Sequence, residues 1–335
     1  MAQVTGNEAD LTSVTSGDAA AMTALAKRHL AGDGVSRDPE MAARLLAAAD
    51  EKGDGEAAAL IAVLVGVSAN SAEIWAHAFG YLQRAAELGF APARGQLAVL
   101  SADPAAASEA ASAHAPPDIW KRLRQSIDLQ AWLSPPDPVV LSERPVIRTY
   151  PHFIAPAICD WLIDRVRGRI ARAQVFDAQT GHARPDPART NSAFEFKIGD
   201  ADLVLLLVRA RLAKATGFLA EALEDTNVLH YHPGQEFHPH FDFLDIAKPG
   251  MAQEIAAHGQ RVASFLIYLN DGFEGGETDF PLLKIRSKPA RGGALFFRSV
   301  NGDGTPDRTT VHAGLPPASG EKWLFSQWIR TRFSA

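Results

Sequence analysis

The hexapeptide AADEKG, ending at Gly53, returns as RAAELG ending at Gly89, 36 residues further on. In an Ala-rich segment a period of that size leaves few folds open. It is the period of stacked helical hairpins, in which each unit covers its apolar face with the next. The first unit reads AMTALAKRHLAGDGVSRDPEMAARLLAAADEKG. It has small residues where two helices would press together, Gly-Asp-Gly at the turn, and Gly53 as a helix stop. The second unit, Glu56 to Gly89, carries SANSAEIWAHAF where the Gly-rich turn should be, and a third begins at Ala91 and decays. An all-α helical-repeat segment is therefore expected over residues 1–115.

These units resemble the Sel-like repeats, short relatives of the tetratricopeptides. The resemblance implies a helical spacer or docking face, with a protein or peptide as its partner. Between 116 and 145 the chain reads as a Pro-rich linker, with APPD at its start and SPPDP further on flanking a short helix around Ile119 to Leu133. Beyond it, Pro156 can start a helix whose buried stripe would be Ile158, Leu162, Val166 and Ile170. Another helix is expected from about Asp202 to Thr216, stopping at Gly217. From Asn227 the texture changes to short β-rich runs, VLHYH, HFDFL, VASFLIYL, GALFFR and WLFSQWI, broken by Gly, Pro and Asp. That pattern predicts a β-sandwich or barrel with helices laid against one sheet, making the whole chain α+β in two domains.

A length of 335 residues accommodates two cores. The net charge of -6 supplies no global attraction to phosphate backbones or anionic lipid, so neither nucleic acid nor membrane is expected as a partner. The longest apolar run, Leu203 to Val208, is far short of the roughly 20 residues that cross a bilayer. The opening MAQVTGNEADLTSVTSGD lacks the basic start and apolar core of a secretion signal, and Cys159 has no second cysteine to pair with. A cytoplasmic setting is the expectation.

Four of the 11 histidines crowd into VLHYHPGQEFHPHFDF, at 230, 232, 238 and 240. His240 and Asp242 are two apart, so on a strand both project from one face and can reach one ion. His238 and His240 satisfy the same spacing, and the motif alone does not choose between the pairs. Downstream, His312 approaches the last β-rich run and Lys322 follows ten residues later, across HAGLPPASGEKW. Two imidazoles and a carboxylate make the facial triad of non-haem Fe(II) oxygenases, which leaves adjacent coordination positions open. A compact cation nearby suits the far carboxylate of a bidentate oxo-acid.

From Val146 onward the sequence resembles the 2-oxoglutarate oxygenase superfamily, and within it the prolyl 4-hydroxylase-like branch. The segments that carry this are DPARTNSAF, YHPGQEFHPHFDF, RVASFLIYLND, GGETDFP, GGALFF and TVHAGLPPASGEKW, in that order. The resemblance implies a double-stranded β-helix, or jelly roll, with flanking helices over 146–335. It also implies a dioxygenase that hydroxylates an unactivated carbon and releases succinate and CO2. His240, Asp242 and His312 match its catalytic iron ligands. Lys322 matches the residue that binds the distal carboxylate of 2-oxoglutarate, and Tyr231 and Tyr268 match tyrosines of the cosubstrate pocket. Thr278 either faces the cosubstrate or caps a turn. Arg189 matches an arginine near the mouth of the site, while Trp323 and Trp328 read as core. His230 and His232 have no ligand counterpart, and Leu244 to Gln260 reads as a variable lid loop. The implied requirements are Fe(II), 2-oxoglutarate and dioxygen, with ascorbate as an accessory reductant.

A prolyl or other residue of a protein is the first expected substrate; a free amino acid or small metabolite is the alternative. Two other classes are set against this reading: a cupin-like metalloenzyme without 2-oxoglutarate, and a non-catalytic repeat scaffold.

Overall fold

Four short polar side chains start the N-terminal helices by accepting hydrogen bonds from backbone amides that the first turn leaves unpaired. Asp18 caps α1 (Ala19–Ala31), Asp38 caps α2 (Pro39–Glu51), Asp54 caps α3 (Gly55–Val67) and Ser71 caps α4 (Ala72–Glu87). In this computed structural model residues 17–112, 115–177 and 182–331 are described. The opening segment read above for a secretion signal lies mostly outside them.

The sequence repeat is a repeat of backbone geometry. At the end of α2 the Gly53 amide donates to Asp50 O (2.9 Å) and the Asp54 amide to Ala49 O (3.1 Å). At the end of α4 the Gly89 amide donates to Ala86 O (3.1 Å) and the Phe90 amide to Ala85 O (3.0 Å). Both glycines are left-handed, with φ of 86° and 92°, which closes the same double-bonded helix stop twice. The helices bury a small-residue core in which Ala26, Ala42, Leu46, Ala49 and Ala57 are fully covered. α5 (Ala91–Leu100), α6 (Pro104–Ala110), α7 (Ile119–Gln125) and α8 (Leu129–Trp132) follow. The stretch 116–145 thus holds two short helices where one was expected, and ends in strand β1 (Val139–Glu143). One compact unit takes in the chain to Leu133 with Lys197–Val208; a second takes in Ser134–Phe196 and Arg209 onward.

The second unit is built on two antiparallel sheets. The larger has the order β1, β2 (Val146–Tyr150), β13 (Ala294–Arg298), β9 (Arg261–Tyr268), β16 (Lys322–Arg330), β7 (Asn227–Tyr231), β6 (Ser192–Glu195), β3 (Ala171–Arg172). The smaller has the order β12 (Ile285–Ser287), β11 (Thr278–Phe280), β14 (His312–Gly314), β8 (Phe237–His240). Alternation puts Leu229, Leu266, Leu295, Phe297 and Leu324 of the larger sheet and Phe280 of the smaller into one buried cluster. Phe280 meets Phe297 edge-on at 5.1 Å between ring centroids.

Two short two-stranded pairs complete the strands, β4 (Gln174–Asp177) with β5 (His182–Pro185), and β10 (Glu274–Gly275) with β15 (Pro317–Ser319). α9 (Pro156–Val166) buries Ile158, Leu162 and Val166; Ile170, expected on the same stripe, lies beyond the helix end. α10 (Leu203–Thr216) begins at Asp202, whose carboxylate accepts from the Leu205 amide.

The expected loop from Leu244 to Gln260 contains a helix, α11 (Met251–His258). MAQEIAAH is rich in helix formers, and Glu254 and His258 pair one turn apart at 3.2 Å. Gln260 closes the segment by accepting from the Leu244 amide and donating to its carbonyl, both at 2.7 Å. Among the described residues no helix is long and apolar enough to cross a membrane.

Candidate active site

β8 and β14 are paired so that His240 stands opposite His312. Asp242 lies two residues beyond the end of β8. His240 Nε2 lies 3.6 Å from one carboxylate oxygen of Asp242, and His312 Nε2 lies 3.6 Å from the other. One ligating atom from each of the three falls within 4.8 Å of the other two. In both imidazoles Nδ1 faces a backbone carbonyl, His238 O at 2.8 Å and Thr310 O at 3.1 Å. A carbonyl only accepts, so Nδ1 donates to it and Nε2 is the ring atom turned toward Asp242.

Burial pushes the Asp242 carboxyl up, but the imidazoles of His312 and His240 and the Ser264 hydroxyl outweigh it and hold it below the usual carboxylate range. Burial, and then His312, push His240 down to about 3, which keeps it neutral. Ser264 Oγ donates to Asp242 Oδ2 at 2.5 Å. Phe237 stacks on the His240 ring at 3.5 Å between centroids. Two imidazole nitrogen donors and one carboxylate oxygen donor are the donor set of a divalent metal.

The three residues border a cavity of about 420 Å³ whose wall also includes Arg189, Tyr231, Thr278, Lys322 and Trp328. A larger depression, of about 690 Å³, lies elsewhere beside Tyr150 and Lys288, and no metal-ligating cluster of the described residues borders it.

Lys322 heads β16 and is fully buried; its ammonium has no hydrogen-bond partner among the described residues and lies 4.9 Å from the Tyr231 ring centre and 5.3 Å from that of Tyr268. Burial lowers it to about 7. A buried cation facing two aromatic rings and a cavity is a fitting counter-ion for an anionic ligand.

Tyr231 and Thr278 are on the cavity wall as expected residues of the cosubstrate pocket, whereas Tyr268 stands behind it. The Tyr268 hydroxyl donates to Ser287 O (3.0 Å) and accepts from the Thr278 amide (3.1 Å) and the Thr278 hydroxyl (2.9 Å). Thr278 is therefore both a wall residue and an anchor for Tyr268, and it sits in a strand rather than capping a turn. Trp328, read from the sequence as core, is on the wall; Trp323 is buried against His230. Arg189 is buried, with its guanidinium donating to Gln174 O and Asn191 Oδ1.

The alternative pair of His238 and His240 is not assembled, because His238 turns outward to Glu236. Sequence reading missed Ser264. The signal was present: on β9, Ser264, Leu266 and Tyr268 share one face by period two, and a lone serine on an apolar face needs a polar partner.

Residues 226–330 match the 2OG-Fe(II) oxygenase superfamily. Probable prolyl 4-hydroxylase 3 of Arabidopsis thaliana is 32% identical over 212 residues, covering 57% of this chain and 71% of that protein. Prolyl 4-hydroxylase 1 of the same plant is 32% identical over 209 residues, covering 58% and 72%. The viral collagen prolyl hydroxylase of Paramecium Bursaria Chlorella virus-1, solved as a 2OG complex, is 27% identical with a TM-score of 0.42, covering 56% of this chain and 96% of that one. The chain belongs to the prolyl 4-hydroxylase family, and is thereby a 2-oxoglutarate-dependent dioxygenase whose chemistry uses Fe(II), 2-oxoglutarate and dioxygen.

Proposed function

We propose that His240, Asp242 and His312 hold Fe(II), that Lys322 binds the distal carboxylate of 2-oxoglutarate in a pocket shaped by Tyr231, Thr278 and Tyr268, and that the substrate is a prolyl residue of a protein or peptide. The observation that carries the site reading is the fully buried Lys322 ammonium, without a hydrogen-bond partner among the described residues, on the wall of the cavity that the three ligands border. The substrate reading is supported by similarity to proteins named as prolyl 4-hydroxylases.

Bound Fe(II) with 2-oxoglutarate supplies the oxidation, splitting dioxygen so that one oxygen goes to succinate, formed with CO2, and the other to a C–H bond as hydroxyl. The chain supplies geometry and charge. Hydrogen bonds to His238 O and Thr310 O fix both imidazoles, Ser264 fixes the carboxylate, and Lys322 neutralises the incoming dianion. Leu229, Leu266 and Leu324 keep water from the inner wall. Asp242 supplies a carboxylate at the position that halogenating relatives leave open, so hydroxylation is the reaction assigned.

In the same reading residues 146–335 form a jelly roll, 116–145 join it to the helices, and the helices over 1–115 are Sel-like repeats that dock a protein partner. The setting is cytoplasmic, with neither nucleic acid nor membrane as a partner; a lone cysteine, buried at Cys159, suits a reducing compartment.

The test is anaerobic titration of Fe(II) and 2-oxoglutarate into the protein, followed by the visible charge-transfer band of the chelate. A band that weakens in Lys322→Ala supports the assignment; bound metal with no band removes it. The substrate is tested by the 2-oxoglutarate-dependent gain of one oxygen in proline-containing peptides, read by mass spectrometry.

A further inference from the structure

Among the described residues one other group of metal-binding side chains comes together: His230, His232 and Glu321, again with one ligating atom from each within 4.8 Å of the others. His230 lies on β7 and His232 two residues on; Glu321 immediately precedes β16, the strand paired with β7. His230 Nε2 is 3.1 Å and His232 Nδ1 3.5 Å from the two carboxylate oxygens of Glu321, so the carboxylate already spans both rings. The ring centroids of His230 and His232 are 4.5 Å apart.

The cluster is held from behind. The His230 ring lies on Trp323 at 4.1 Å between centroids and is only 3% exposed. The backbone at Glu321 is fixed by Asn270, whose side chain donates to Glu321 O (2.7 Å) and accepts from the Trp323 amide (2.8 Å). Gly320 turns the chain into that position with φ of 73°, where a Cβ would fall 2.3 Å from Gly272 O. By contrast His232 and Glu321 are about half exposed, which gives an ion a route in and leaves room for water as a further ligand.

The bland alternative is an ion pair at the surface with a histidine stacked behind it. The buried Nδ1 of His230 has no hydrogen-bond partner among the described residues in either case, so the choice rests on the ligand geometry. Metal geometry is within reach: bonds of about 2.0–2.2 Å in a tetrahedral site put ligand atoms roughly 3.3 Å apart. Two of the separations are already 3.1 and 3.5 Å. The donor set of two imidazoles and one carboxylate, with an open position, is that of borderline divalent ions, zinc foremost.

We propose that His230, His232 and Glu321 form a second, zinc-class divalent metal site on the outer side of the β7 and β16 pair. Tyr231 lies between its two histidines in sequence, and Lys322 adjoins its glutamate. An ion here pins together the two strands that present Tyr231 and Lys322 to the cavity. That consequence rests on the function proposed above for Lys322; the metal site itself does not.

The experiment is a Co2+ titration of the full chain by visible absorption, with Zn2+ displacement read by a chromogenic chelator. The native chain is expected to take up two ions. His232→Ala should take up one, with the affinity for the other weakened more than about a hundredfold, since changes merely around a metal ligand already cost roughly 10–100-fold. Asp242→Ala should retain the ion that His232→Ala loses. Glu321→Gln, which preserves shape and removes the charge, repeats the test if His232→Ala fails to fold. Uptake of a single ion by the native chain, abolished by Asp242→Ala and unchanged by His232→Ala and Glu321→Gln, would overturn the proposal and leave the oxygenase site standing.

Discussion

Lys322 and Tyr231 are direct partners across the β16 and β7 ladder, with the lysine ammonium 4.9 Å from the centre of the tyrosine ring. Burial lowers Lys322 to about 7, so in the free protein the ammonium is charged below that pH and increasingly neutral above it. A bound carboxylate favours the charged form and raises the pKa again, so binding above pH 7 must take up a proton. The apparent affinity for 2-oxoglutarate should therefore be flat below about 7 and fall as pH rises, by up to roughly tenfold per unit. Isothermal titration in two buffers of different ionisation enthalpy measures the proton uptake; none at pH 8 contradicts this account.

On the proposed assignment, replacing Lys322 by alanine removes the charge-assisted hydrogen bond to 2-oxoglutarate, worth about 1.5–3 kcal/mol, which corresponds to roughly a tenfold to hundredfold higher requirement for 2-oxoglutarate. Fe(II) binding without the cosubstrate should change little. Steady-state kinetics with varied 2-oxoglutarate, beside anaerobic iron binding, separates the two.

Asp242→Ala takes the only ionised oxygen donor from between His240 and His312. Turnover should drop below detection while the far-UV circular dichroism spectrum stays native. Full activity in this variant would sink the ligand assignment.

Ser264→Ala tests a residue that acts through another. Its hydroxyl is fully buried and bonded to Asp242 Oδ2, so its loss frees the carboxylate to rotate. Iron affinity should fall roughly 10–100-fold, with Ser264→Thr restoring part of it. Direct Fe(II) titration is the readout, and an unchanged affinity would reduce Ser264 to a packing residue.

Glu224 accepts from both Arg261 (2.6 and 2.8 Å) and Arg330 (2.6 Å). Burial pushes its carboxyl up, but the two guanidinium groups outweigh it and hold it below the ordinary range. The sign follows: this stabilisation is present above the unfolded carboxyl pKa, near 4.3, and is lost as pH falls through the lower folded value. Glu224→Ala leaves the buried Arg330 and the partly buried Arg261 each short of a partner and should cost about 3–5 kcal/mol, read by urea unfolding at pH 7. The penalty should shrink in acid.

Much of the site was legible because its signals are local. Strand periodicity allowed His240 to pair with His238 or Asp242 and the resemblance chose Asp242, while the His312 to Lys322 stretch runs through β14, a turn, β15 and a second turn to the start of β16. The repeat at Gly53 and Gly89 was legible because a left-handed helix stop requires glycine. What was not legible depends on neighbours distant in sequence. Trp328 is a wall residue only because of which face β16 turns to the smaller sheet. His238 is excluded only because Glu236 draws it outward. The helix at Met251–His258 was hidden by reading Gly250 and Gly259 as loop residues, when they are its boundaries.

The strand that carries Lys322 also fixes when the site can exist. β16 occupies the middle of the larger sheet, between β9 and β7, yet it follows every other strand in sequence. Its pairing with β7 joins residues roughly ninety positions apart, a separation whose closure entropy must be met before the contact gives anything back. During synthesis, β7 and β9 leave the ribosome with an open slot between them. The apolar faces that will line the cavity stay uncovered until Leu324, Phe325 and Ile329 arrive. The cavity that Lys322 borders is therefore closed only when the last of these strands takes its place in the sheet.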